Sequence, residues 1–341
     1  MFQVTAYGFD PAGWRLTGSD ESTETGFREP RERDLELLSP DELKHSLPGV
    51  LVFAPTPFDE QTLALDLLGF RHNLEFLAAR GVKAVAVAGF VGEYSALDAS
   101  EYGDIVRTAR EVLGSEGVVV AGVGVGLALA TEYAALAEAN GADCIMLLPP
   151  YLVEPSADGT VAYTRAVAQT TRLGLMLHSM PGHPFSARLV ERLADIPGVV
   201  SYKDELGDVR GFAEIVDHVG DRLVYVNGRA EPVMGYYSAA GATVLASAIG
   251  NFDPALALAA YSASADLDFP RLQSVLTPRA MRWYRLRERN RGYLISVSKA
   301  SMSLMGLAGG AVRPPLSNLR PEVQEELLTL LTEANYLEGV T

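Results

Sequence analysis

Gly198-Val199-Val200-Ser201-Tyr202-Lys203-Asp204-Glu205 is a short apolar run that ends on a lysine, with Gly207 and Asp208 just beyond it. In a strand, alternation sends Ser201 and Lys203 to one face and Val200 and Tyr202 to the other. In a closed parallel barrel the first of these faces is the interior, and its C-terminal rim is where catalytic groups gather. An ammonium placed there loses hydration, which is costly unless the group is paired or sheds its proton. A strand-end lysine also has an ordinary reading, in which its stem covers apolar surface and its head reaches water. The neighbouring sequence decides between the two.

Similar runs recur on both sides, at Val50 to Phe53, Ala84 to Val87, Val118 to Ala121, Cys144 to Leu148, Gly174 to His178, Leu223 to Asn227 and Thr243 to Ser247. Helical stretches such as Leu63 to Arg80, Ala99 to Leu113, Ala128 to Asn140 and Ala187 to Ala194 separate them. Short runs that do not alternate, divided by helices, suit strands buried on both faces. With Val199 to Lys203 there are eight, which predicts a (β/α)8 TIM barrel. A doubly wound sheet has the same βα order. However, Gly122-Val123-Gly124-Val125-Gly126 lacks the dinucleotide spacing and no acidic residue ends the next strand.

Residues 1–38 carry no sustained period and read as an N-terminal extension. Phe2, Tyr7, Phe9, Trp14 and Phe27 favour a packed arm over a disordered tail, which is poor in aromatics. Ser39-Pro40-Asp41-Glu42 is a helix start, with Ser39 as N-cap, Pro40 at N1 and Glu42 closing a capping box. The barrel is expected over 39–252. A C-terminal helical appendage packed on it is expected over 253–341, with helices at Pro254 to Ala265, Phe269 to Arg287, Gly292 to Gly306 and Pro321 to Tyr336.

A chain of 341 residues that is 48% hydrophobic has room for one barrel and extensions. A formal net charge of -15 argues against a nucleic-acid binder, while leaving room for a local cationic site that takes a small anion. Cys144 is the only cysteine, so no intramolecular disulfide or Cys-rich metal cluster forms. A reducing cytoplasm is the simplest setting, and neither an export signal nor a membrane span is indicated.

On a barrel, the strand ends bring together Gly89-Phe90-Val91-Gly92-Glu93-Tyr94, Pro149-Pro150-Tyr151-Leu152, His178-Ser179-Met180-Pro181, Lys203, Asn227-Gly228-Arg229 and Ser247-Ala248-Ile249-Gly250-Asn251. Those segments, with Lys-Asp-Glu-Leu-Gly-Asp at 203–208, Arg-Gly-Tyr at 291–293 and Val-Arg-Pro-Pro-Leu at 312–316, resemble the dihydrodipicolinate synthase and N-acetylneuraminate lyase family. The resemblance covers roughly 40–336. It implies a class I lyase in which Lys203 forms a covalent imine with a small 2-oxo acid, without metal or other cofactor. The expected reaction is dehydration with decarboxylation of a 5-dehydro-4-deoxyglucarate-like sugar acid. Aldol cleavage or condensation is one alternative, and a catalytically silent barrel that binds a 2-oxo acid is another. A homo-oligomer, dimer or tetramer, is also implied.

The chemistry needs a free amine, and a lysine at its ordinary pKa of about 10.4 is mostly charged at neutral pH. Burial in an apolar barrel would favour the neutral nucleophile. By the resemblance, backbone amides over Gly89, Phe90, Val91 and Gly92 hold the substrate carboxylate, although Phe90 and Val91 stand where many relatives carry hydroxyls. Glu93 reads either as a carboxylate that satisfies loop amides or as an acid/base group. The main departure is His178, which stands where the family carries its proton-relaying tyrosine. A histidine titrates near neutrality and can do the same work, and His178 ends a strand. Tyr151, Ser179 and His183 are candidates at the mouth. Leu152 stands where some relatives supply a second tyrosine. Arg229 is a candidate for the distal carboxylate of a diacid. Ser247 and Asn251 either contact substrate hydroxyls or cap the last strand. His178 and His183 lack a third metal ligand, so no metal is expected.

Overall fold

A computed structural model describes residues 38–336, apart from 48, 151 and 278. The expected N-terminal extension, except for Leu38, and the candidate Tyr151 lie outside the described residues. Helix α1 (Pro40–Ser46) begins as its sequence dictates. Ser39 Oγ accepts from the Glu42 N–H at 3.3 Å, and Glu42 Oε2 accepts from the Ser39 N–H at 2.9 Å.

Eight parallel strands follow: β1 (Gly49–Phe53), β2 (Ala84–Val87), β3 (Val118–Val125), β4 (Cys144–Pro150), β5 (Gly174–Ser179), β6 (Val199–Asp204), β7 (Val224–Asn227) and β8 (Val244–Ser247). Each pairs with the next, and β8 closes on β1 with Leu51 opposite Ala246. Every residue of β2, β5, β6, β7 and β8 is buried. Inward side chains fill the barrel and outward ones meet helices, so the runs are apolar throughout. Strand β6 shows the division. Ser201 Oγ points inward and donates to Val224 O at 2.8 Å, whereas the outward Tyr202 stacks on Phe212, with ring centroids 6.3 Å apart.

Helices α2 (Leu67–Ala78), α3 (Ala99–Leu113), α4 (Leu127–Ala139), α5 (Ala157–Ala168), α6 (Ala187–Ala194), α7 (Val209–Val219) and α8 (Met234–Ala239) connect the strands. The stretch expected to be helical from Leu63 starts at Leu67 instead. Leu63 has a φ of 58°, and Asp66 is the N-cap, accepting from the Gly69 N–H at 2.8 Å.

Five further helices complete the chain: α9 (Pro254–Ala265), α10 (Phe269–Leu276), α11 (Ala280–Glu288), α12 (Tyr293–Leu304) and α13 (Pro321–Glu333). The single helix expected from Phe269 to Arg287 is thus two, and the sequence between them carries a proline, which has no N–H to offer a helix. These helices share a second apolar core in which Phe252 meets Trp283 and Tyr336 edge-on, at centroid distances of 5.3 and 5.6 Å.

Polar ties fix this region on the barrel rim. Asn73 on α2 donates to Ala308 O at 2.7 Å and accepts from the Ala308 N–H at 2.9 Å. Lys299 on α12 forms a buried ion pair with Glu93, and Arg313 bonds Glu101 and the Leu63 carbonyl. Burial pushes the Lys299 pKa down to about 8 against the pull of Glu93. Docked in this way, the turn between α11 and α12 overhangs the C-terminal mouth. Among the described residues no helix is long and apolar enough to cross a membrane.

Candidate active site

At the C-terminal end of the barrel lies a cavity of about 680 Å³, lined among others by Phe53, Phe90, Val91, Met146, His178, Lys203, Glu205, Arg229, Ser247, Arg287 and Arg291. Lys203 is 3% exposed and its Nζ reaches this cavity. Of the chain's four lysines it is the only one among the lining residues: Lys44 and Lys83 lie on the outer helices and loops, and Lys299 is held by Glu93. Gly228 makes room for it. A Cβ at Gly228 would lie 2.4 Å from the Asp204 carbonyl oxygen and 3.1 Å from Lys203 Nζ.

Register sets the chemistry around the amine. His178 on β5 lies directly opposite Lys203 on β6, so both side chains enter the barrel at one level. Lys203 Nζ is 2.8 Å from His178 Nε2 and 2.6 Å from Glu205 Oε2, and His178 Nε2 is 2.8 Å from the same Oε2. The Glu205 N–H donates to Ser179 O at 2.9 Å, which extends the strand pairing beyond Asp204. This extension puts the Glu205 carboxylate on the Lys203 face. Alternation, which assigns Ser201 and Lys203 to the interior, assigns Glu205 there too. That signal was present in the sequence, and Glu205 was absent from the candidates.

The triangle constrains the protons. Nε2 cannot accept from Nζ and donate to Oε2 at the same time. With Nε2 bare, the Lys203 ammonium donates to both His178 and Glu205. Once His178 takes that proton, Nε2–H donates to Glu205 and an imidazolium–carboxylate pair replaces the ammonium–carboxylate pair. Burial, and then the Lys203 charge, hold His178 below the ordinary histidine range, with Glu205 pulling the other way. His178 is therefore a neutral base at neutral pH. Burial would raise the Glu205 pKa, but the Lys203 ammonium beside it outweighs burial and holds the carboxyl well below its usual range. The lysine thus sits beside a carboxylate, whereas the sequence suggested purely apolar surroundings.

The remaining candidates divide by position. Phe90 and Val91 line the cavity. Their loop is a tight turn, in which the Glu93 N–H donates to Phe90 O at 3.1 Å and the Tyr94 N–H to Gly89 O at 3.0 Å. Among the described residues, the N–H groups of Phe90, Val91 and Gly92 donate to no backbone carbonyl, although Gly89 and Gly92 are not among the residues that line the cavity. A Cβ at Gly92 would lie 2.8 Å from Ala88 N, so the turn requires glycine there.

Glu93 is turned away from the cavity. Its two oxygens take the Lys299 ammonium and, at 2.9 Å, the Arg313 N–H, so it holds the loop and is no acid/base or substrate group in the cavity. Ser179 also faces away, because it follows the inward His178, and its Oγ accepts from the Phe185 N–H at 3.1 Å. Asn251 ties off β1, donating to Phe53 O at 2.8 Å and to Ala248 O at 2.9 Å. His183 closes a tight turn with Met180 and lies on a separate small cavity behind His178. Among the described residues no three His, Cys, Asp or Glu side chains gather as metal ligands.

Arg229 and Ser247 are on the cavity wall. Among the described residues Arg229 and Arg291 have no salt-bridge partner, whereas the buried Arg287 is held by Leu294 O at 3.0 Å. Arg287 and Arg291 come from the helical region, and no spacing in the sequence ties them to the strand ends. Ser247 Oγ donates to the fully buried Glu231 at 2.5 Å and accepts from the Gly250 N–H at 2.9 Å.

A closed (β/α)8 barrel with a lysine, an imidazole and a carboxylate gathered in a cavity at its C-terminal mouth has the layout of a barrel enzyme. The dihydrodipicolinate synthetase family model matches residues 46–334, and the chain belongs to that family. It is 36% identical over 297 residues to a Ralstonia nicotianae protein named "Probable 5-dehydro-4-deoxyglucarate dehydratase", covering 86% of this chain and 95% of that one. A Pseudomonas fluorescens protein of the same name is 37% identical over 298 residues, covering 86% and 98%. The dihydrodipicolinate synthase structure from Oceanobacillus iheyensis superposes with a TM-score of 0.81 at 25% identity, covering 87% of this chain and 99% of that one. The Acinetobacter baumannii dihydrodipicolinate synthase, solved in complex with pyruvate, shares the fold with a TM-score of 0.79 at 23% identity, covering 85% and 99%. The chain is a lyase of this family.

Proposed function

We propose that this lyase forms an imine between Lys203 and a 2-oxo diacid, and dehydrates and decarboxylates a 5-dehydro-4-deoxyglucarate-like sugar acid. The observation that carries this reading is the contact of Lys203 Nζ with His178 Nε2 at 2.8 Å, inside a cavity that also holds Arg229, Arg287 and Arg291. The names of the curated relatives and the pyruvate in the Acinetobacter baumannii structure support the substrate class.

His178 takes a proton from the Lys203 ammonium, and the free amine attacks the 2-oxo carbon. The resulting carbinolamine loses water, with His178 returning the proton, and leaves a protonated imine. The three amides over Phe90 to Gly92 take the carboxylate beside the imine carbon. The imine draws electrons from the adjacent carbon, so His178 can remove a proton there. The electron pair then expels the β-hydroxyl, which leaves as water after accepting that proton. Glu205 stays ionised throughout and balances whichever neighbour is charged. As carbon dioxide leaves the far carboxylate, the freed electron pair passes through the new double bond into the imine; a proton then returns to carbon, and water hydrolyses the imine to the 2-oxo product and free Lys203. No metal or separate cofactor enters the scheme.

The far carboxylate meets Arg229 and Arg291, whose guanidiniums suit it bidentately. Self-association as a dimer or tetramer belongs to the same reading, supported by the exposed apolar Phe90, Leu127, Leu129, Leu152 and Val153. Incubation with 5-dehydro-4-deoxyglucarate tests the reaction, with carbon dioxide and the dehydrated 2-oxo product expected in equal amounts. Release of pyruvate with an aldehyde would make the enzyme an aldolase instead. Arg229→Ala should raise KM for the diacid and leave the imine with pyruvate intact.

A further inference from the structure

Two buried polar atoms near the catalytic histidine have no protein partner: His178 Nδ1 and the Tyr163 hydroxyl. Both residues line the small second cavity, of about 20 Å³, to which Thr160 on α5 also belongs. His178 is common to the walls of both cavities, and its Nε2 faces Lys203 and Glu205 in the large one. A space of about 10–15 Å³ suffices for one water, provided two to four polar groups hold it. Burial pushes the Tyr163 phenol well above its ordinary pKa, so it is a donor at neutral pH. Thr160 Oγ1 gives its own proton to Ser156 O at 3.1 Å and is left only with lone pairs.

We propose that the small cavity is a structural water site behind His178, in which the water accepts from His178 Nδ1–H and Tyr163 O–H and donates to Thr160 Oγ1. Tyr163 then acts as a positioning residue for His178. Donors and acceptors balance. The water has two lone pairs for two donors, and the threonine lone pair takes one of its hydrogens. With a proton fixed on Nδ1, Nε2 is bare and presents its lone pair to the Lys203 ammonium. This tautomer is the one that lets His178 act as a base toward Lys203. When Nε2 picks up the proton, the imidazolium keeps its Nδ1–H bonded to the water and gains Nε2–H···Glu205. The inference rests on the acid-base reading of His178 and adds the group that sets its tautomer.

Three readouts on the full-length protein test it. A high-resolution crystal structure should show one water peak within hydrogen-bond distance of His178 Nδ1. Nitrogen-15 NMR of the five histidines should show His178 as the Nδ1–H tautomer, and Tyr163→Phe should redistribute it. Tyr163→Phe should also move the acid limb of kcat/KM to lower pH, because the imidazolium loses support. Turnover should fall about 2- to 10-fold, the worth of one net hydrogen bond. Thr160→Val should act in the same direction and carries the test if Tyr163→Phe fails to fold. A dry cavity, or an unchanged His178 tautomer and pH profile in both variants, overturns the inference. The water and the tautomer are read on the resting protein, so their failure is distinct from a failure of imine formation, which shows as no reducible adduct on Lys203.

Discussion

Replacing Glu205 by glutamine keeps the side chain's shape and removes the one carboxylate that touches both Lys203 and His178. At 2.8 Å and an effective dielectric constant of about 20, a unit pair attracts by roughly 6 kcal/mol, which is the gross figure. Glu205 is 27% exposed toward the cavity, so solvent screens part of it. The net effect expected of an opposite charge at this range is about 1–3 pKa units on His178, or roughly 1.4–4 kcal/mol. Glu205 raises the proton affinity of His178 against burial and the Lys203 charge. Its loss lowers that affinity, and the acid limb of kcat/KM moves to lower pH by about 1–3 units. The imidazolium formed during turnover also loses its counter-ion, so kcat falls about 10- to 1000-fold at neutral pH. The assay is steady-state substrate consumption across the acidic to mildly alkaline range, with thermal unfolding as the control for folding. An unchanged limb and unchanged kcat, or a limb that moves upward, would refute the proposed role of the triangle.

Three further outcomes are expected. His178→Phe should reduce turnover by about 10²–10⁴-fold, the usual worth of a positioned acid-base group, while adduct formation with pyruvate persists at a slower rate; unchanged turnover rules out the role. Gly228→Ala should cost about 1–3 kcal/mol of stability, because its Cβ would meet the Asp204 carbonyl oxygen at 2.4 Å, and should depress kcat further by crowding Lys203, as unfolding and rate measurements on one preparation would show. Lys299→Met should cost about 3–5 kcal/mol by leaving Glu93 buried without its cation, and adding Glu93→Gln should recover part of the loss in urea unfolding. The folded pKa of Lys299, about 8, lies below its ordinary 10.5. Between those values the unfolded chain binds more protons at this site, so the wild type should gain stability as pH rises through that window, relative to the double variant.

The barrel was legible because its strands are buried on both faces and its helices carry their own caps. Apolar runs such as Val199 to Lys203 and the Ser39 capping box are local features, so the sequence alone shows them. Strand ends placed Lys203 and His178 at the mouth, and the family resemblance gave them their expected roles. Alternation reaches Glu205, provided the strand is continued by one more pair. Arg287 and Arg291 were not legible, since only the docking of the C-terminal helices brings them over the mouth. Glu93 shows the opposite limit. Its position in the loop after β2 left an acid/base role open beside a loop-holding one, and only its partner Lys299, 206 residues away, shows the carboxylate to be a structural tie. The break between α10 and α11 had a sequence signal in its proline, which the apolar periodicity from Phe269 to Arg287 obscured.

The proposed reaction stands or falls with Lys203 as the nucleophile. Borohydride treatment in the presence of pyruvate or a sugar-derived 2-oxo acid, followed by mass spectrometry of the digested protein, tests it directly. A reduced adduct is expected on the peptide that holds Lys203, and none on the peptides that hold Lys44, Lys83 or Lys299. No adduct with any such acid, or an adduct on another lysine, would contradict it.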